Sequence, residues 1–63
     1  MRNTFYKIKF KDFKGQDIER THINISDMKK DYNTLLQTSG ISNVKIFIVN
    51  EIEEELMHNQ IFN

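Results

Sequence analysis

Sixty-three residues make a single domain, spanning 1–63 and close to the size at which a chain buries just enough apolar surface to fold alone. With no cysteine there is neither a disulfide framework nor a thiolate metal site, so stability has to come from a tight core or from a partner chain. Nine basic and nine acidic residues cancel to zero, which excludes the strongly basic balance of a dedicated DNA binder and the strongly acidic one of a DNA mimic.

The cancellation hides a split. Residues 1–30 hold eight Lys or Arg against four Asp or Glu (8 − 4 = +4), and residues 31–63 hold one against five (1 − 5 = −4). Opposite halves of this kind can meet within one molecule or between two. No apolar run approaches the roughly 20 residues that span a bilayer, and "MRNTFYKIKF" lacks the apolar segment of a signal peptide. The chain reads as soluble and cytoplasmic, and the missing cysteines fit a reducing compartment.

Residues 4–13 alternate as a half-buried strand does, with Tyr6, Ile8 and Phe10 on one face and Phe5, Lys7, Lys9, Lys11 and Phe13 on the other. Lys14, Gly15, Gln16 and Asp17 supply turn chemistry, and the β-branched stretch 18–25 follows as a second strand. A loop over 14–17 pairs Phe13 with Ile18, Lys11 with Arg20, Lys9 with His22, Ile8 with Ile23 and Tyr6 with Ile25. That register gathers Tyr6, Ile8, Phe10, Ile23 and Ile25 on one core face.

Ser26 is a good N-cap and Asp27 suits a first turn, while Met28, Tyr32, Leu35 and Leu36 recur at helical spacing up to the stop at Gly40. A helix is predicted over about 27–38. Residues 44–49, "VKIFIV", are the strongest strand, with Val44, Ile46 and Ile48 on one face and Phe47 and Val49 on the other, so both faces want cover. Asn50 with Glu53 resembles a capping box, opening a second helix from Glu51 to about Asn59 with Ile52, Leu56 and Met57 as its apolar stripe.

The predicted fold is α+β, a ββαβ two-layer arrangement. A three-stranded antiparallel sheet of order 2-1-3 carries one packed helix on its Tyr6, Ile8 and Phe10 face, and a short C-terminal helix follows. A 1-2-3 order with a parallel pair is the alternative.

Catalytic chemistry finds no footing. His22 and His58 have no second ligand at metal spacing, and the four carboxylates of "EIEEEL" read as a solvated helix face because so short a chain has little room for a cleft. Serines 26, 39 and 42 have no arranged base, and Gly15 and Gly40 are isolated, so no nucleophile site or phosphate-cradling loop is assembled. The expectation is no enzyme, no metal and no cofactor.

The remaining signal is a surface. Lys7, Lys9, Lys11, Arg20 and His22 stand with Phe5, Phe47 and Val49 as a candidate interaction face. It could stack and neutralise single-stranded nucleic acid, be the wet side of a sheet, or meet the acidic C-terminal segment within the chain or across a homodimer.

At "INISDMKKDYN", residues 23–33, the strand-end apolar residues, the Ser26 and Asp27 cap, Met28 and Tyr32 resemble the corresponding stretch of the small dimeric ββαβ phage inhibitor of uracil-DNA glycosylase. In that family an aromatic residue stands at the position of Met28 and a tyrosine at that of Tyr32, so the resemblance implies partner contacts at these two residues. It covers the element order of about residues 5–50. The lysines here depart from that family's acidic, DNA-mimicking surface. The reading is a non-enzymatic protein-binding module, a homodimer of phage or mobile-element type that inhibits a host protein; the alternative is a nucleic-acid-binding protein using the Lys/Arg face.

Overall fold

A computed structural model describes residues 4 to 61. Alternation makes the first strand as expected: β1, Phe5–Lys11, sends Ile8 and Phe10 into the core and its lysines to the opposite side. The hairpin to β2, Asp17–His22, closes earlier than strand alternation predicts, and Asp12 is the cause. Its Oδ1 accepts the N–H groups of Lys14 and Gln16, both at 2.9 Å, and its carbonyl accepts from the Gly15 N–H at 2.9 Å. Gly15 supplies the φ of 79° that this turn requires, and Phe13 falls in the loop, 77% exposed.

The early closure sets Lys11 against Asp17, Phe10 against Ile18, Lys9 against Glu19, Ile8 against Arg20 and Tyr6 against His22. This is three residues from the expected register. An odd shift turns every β2 side chain to the other face. Ile18 rather than Ile23 and Ile25 joins the core face, and Ile23 is left 83% exposed. The observed register also replaces adjoining like charges at Lys11 and Arg20 with two opposite-charge cross-strand pairs, Lys11 with Asp17 and Lys9 with Glu19.

The helix α1, Ile25–Leu36, begins two residues before the predicted start because Asn24, not Ser26, is its cap. Asn24 Oδ1 accepts from the Ser26 N–H at 2.8 Å, and its carbonyl accepts the first helical N–H, that of Met28, at 3.1 Å. Met28, Tyr32 and Leu35 form the buried stripe, closing over Ile8, Phe10 and Ile46. The predicted packing of a helix on the Ile8 and Phe10 face therefore stands.

The fourth element is β3, Ser42–Asn50, antiparallel to β1, with a register shift between Lys9 and Lys11 that marks a bulge. Beyond Asn50 the chain departs from expectation. Glu51, at φ 68°, turns it straight back into β4, Ile52–Leu56, and among the described residues only His58–Ile61 coils, as the one-turn helix α2. The sheet thus has four strands, all neighbours antiparallel, in the order β2-β1-β3-β4, instead of three with a terminal helix from 51 to 59. Ile52 and Leu56, four apart, share a face in a helix and in a strand alike, so their spacing does not separate the two forms. The long β3 edge, with its unpaired backbone groups, decides for the strand.

Candidate functional site

One face of the sheet carries α1; the other carries no layer among the described residues. From the strand registers, the open face displays Asp17, Glu19 and Thr21 of β2, Phe5, Lys7, Lys9 and Lys11 of β1, Lys45, Phe47 and Val49 of β3, and Glu53 and Glu55 of β4. Acidic strands therefore flank basic and apolar ones. The anionic half of the sequence supplies one flank through β4, whereas the other, β2, carries Asp17 and Glu19 from the cationic half.

Glu53 organises the centre. Lys7 Nζ donates to its Oε1 at 3.1 Å and Lys9 Nζ to its Oε2 at 2.9 Å, so one carboxylate clamps two lysines from two strands away. Both lysines reach across β3, and their methylene stems shelter Phe47 and Val49, which are half-buried without any helix over them. Lys9 Nζ stands 4.6 Å from the centre of the Phe47 ring, and Lys7 Nζ 6.0 Å from that of Phe5. Lys7 also pairs with Glu19 at 3.6 Å, and Lys11 with Asp17 at 2.9 Å.

These contacts move the acidities of both partners. Hydrogen bonds from Lys9 and then Lys7 hold the Glu53 carboxyl below the usual glutamate range. The hydrogen bond to Glu53, aided by the nearby Glu19 charge, holds the Lys7 ammonium above the ordinary lysine value.

Two charges on this face are left over. Lys45 stands directly opposite Lys9, a like-charge pair, and lines a shallow concavity of about 620 Å³ beside the bulge, together with Asn43. Neither Lys45 nor Glu55 makes an ion pair among the described residues.

No family model, curated protein or solved structure matches this chain. The geometry of the face itself carries the functional reading. Of the eight residues expected to share it, Phe5, Lys7, Lys9, Lys11, Phe47 and Val49 are brought together. Arg20 and His22 are not, because the shifted register puts them on the helix side. There they clasp Asp31 of α1, Arg20 Nη1 donating to Oδ1 at 2.6 Å and His22 Nε2 lying 2.8 Å from Oδ2. Met28, fully buried, and Tyr32, 6% exposed, are spent on the core rather than on a surface. The Tyr32 hydroxyl meets His58 Nδ1 at 3.1 Å.

Glu53 and Glu19 are members of the face that the sequence does not announce. Glu19 alternates in phase with Asp17 and Thr21, and that phase is the one signal that could have found it; Glu53 becomes visible only once its segment is known to be a strand. Among the described residues, no group of three or more histidines and carboxylates could hold a metal ion, and no helix is long and apolar enough to cross a membrane.

Proposed function

We propose that this chain is a non-enzymatic protein-binding module whose contact surface is the open face of its sheet, and that it acts as a phage or mobile-element inhibitor of a host protein. The observation that carries the reading is the capture of the lysines by carboxylates: Lys7, Lys9 and Lys11 are each held by Glu53, Glu19 or Asp17. A nucleic-acid backbone would have to displace those carboxylates and then lie against Glu53 and Glu55, which repel phosphate. A protein partner needs only to bury the strip of Phe5, Phe47 and Val49 inside a ring of fixed charges, the arrangement of an apolar centre with a polar rim.

One observation favours nucleic acid as the second reading. Phe5 and Phe47 lie on the two central strands of a four-stranded sheet, where stacked bases would sit. Fluorescence anisotropy with single-stranded and duplex oligonucleotides over a salt series separates the two. The protein-binding reading expects no binding at low salt, together with capture of a host protein that is lost in Phe47→Glu. Tight oligonucleotide binding with a steep salt slope would overturn it.

A further inference from the structure

We infer that the occupant of the open sheet face is a second copy of this chain, related by a twofold axis, with Lys45 of each copy paired to Glu55 of the other. The inference rests on the protein-binding reading and names the partner. On this face Lys7, Lys9 and Lys11 each have a carboxylate, and Asp17, Glu19 and Glu53 each have a lysine. Among the described residues of the face one cation and one anion remain, Lys45 and Glu55. An isologous contact presents every residue twice, i to j and j to i, so a face that meets itself needs its unmatched charges in equal number and opposite sign. This face meets that condition.

The positions fit as well. Glu55 pairs with Phe47 across the β3–β4 ladder, and Lys45 lies two residues before Phe47 on the same face. A twofold axis passing beside Phe47 in the plane between two stacked sheets would exchange the Lys45 and Glu55 positions and lay Phe47 near its own copy. The carboxylate arriving from the second copy would enter the concavity at Lys45 and relieve its like-charge opposition to Lys9. With zero net charge, two copies approach without overall repulsion. A host protein would then have to displace the second copy from this face.

Sedimentation velocity over a concentration series tests this with wild type, Lys45→Glu, Glu55→Lys and the double reversal, each checked for folding by circular dichroism. The expectation is a dimer whose dissociation constant rises at least about tenfold in either single variant, because each reversal acts twice across the axis. In the double variant it should return to near the wild-type value. Should a reversal unfold the chain, Lys45→Gln and Glu55→Gln carry the same test, with weakening expected in each. A wild type that stays monomeric to millimolar concentration, or single variants that dimerise as tightly as wild type, would overturn the inference. A monomer whose capture of a host protein still depends on Phe47 would sink the dimer and leave the binding module standing. A dimer that follows the charge reversals while capture ignores Phe47 would do the reverse.

Discussion

Lys9 and Glu53 belong to strands that do not touch, yet their side chains meet at 2.9 Å over the strand that separates them. The contact roofs β3, and Phe47 lies under it with Lys9 Nζ at 4.6 Å. Glu53→Gln should therefore do more than remove one ion pair. It removes the ion pair of Lys9 and leaves Lys7 with only its longer pair to Glu19, and the expected result is a small fall in the urea midpoint that shrinks in high salt, because exposed pairs are screened. Fluorescent dye binding should rise as Phe47 and Val49 are uncovered.

The same clamp sets the pH dependence. Glu53 has its folded acidity strengthened by Lys9 and Lys7, so its contribution is complete above the unfolded glutamate pKa of about 4.3 and is lost as pH falls through the lower folded value. Lys7 is shifted upward, so its contribution is complete below the unfolded lysine pKa of about 10.4 and is lost as pH rises through the folded one. Burial raises the Tyr32 hydroxyl as well, which adds to the alkaline loss. Thermal melts should give a plateau between roughly pH 5 and 9.5 with a decline on either side. Glu53→Gln should flatten the acid limb and, through Lys7, lessen the alkaline one, to which Tyr32→Phe should bring a separate reduction.

The core is small enough that single truncations are decisive. Ile8, Met28 and Ile46 are the fully buried side chains among the described residues, one from each layer position that β1, α1 and β3 supply. Ile46→Val should cost about 0.5–1.5 kcal/mol and Ile8→Ala about 2–5 kcal/mol, enough in a domain of this size to populate the unfolded state at room temperature. Urea denaturation followed by circular dichroism reads both.

The hairpin register offers a test at Gly15. Its φ of 79° lies in the left-handed region, and a Cβ there meets nothing within 4 Å, so Gly15→Ala measures backbone strain alone. A loss of about 1 kcal/mol is expected. Gly40→Ala should cost more, since at φ 85° its new Cβ would also stand 3.0 Å from the Cβ of Phe13. Glu51→Gly, by contrast, should leave the chain more stable than Glu51→Ala by several tenths of a kcal/mol, because both remove the side chain and only glycine relieves the positive φ in the β3–β4 turn. A second helix beginning at residue 51 would instead be weakened by that glycine.

The legibility of this architecture in the chain depends on how many physical signals agree at each residue. At Ile8, Phe10 and Ile46, alternation, hydrophobicity and β-propensity all point to a buried strand face, and that face is found. At Met28, Tyr32 and Leu35 the helical period does the same. The signals conflict at Asp12, whose local hydrogen bonds compete with a strand that the alternation would carry on to Phe13; the turn wins and the β2 faces reverse. At residues 52–56 glutamate and leucine favour a helix, whereas the vacant edge of β3 favours a strand, and pairing to an edge is a tertiary effect that no local window contains. The lysine half of the face is legible for the first reason, and Glu53 is hidden for the second.

Two of the three strand ladders, β1 with β2 and β3 with β4, join neighbours through short turns, and only β1 with β3 draws the distant parts of the chain together. Each hairpin can close on its own before that seam forms. The first half of the chain is cationic and the second anionic, so the two hairpins attract one another at a distance, in the manner of two separately charged binding partners. The rate of folding, more than the final stability, should then fall as salt is added. Refolding by stopped flow across an ionic-strength series would register it as a folding limb of the chevron that drops while the unfolding limb holds nearly still.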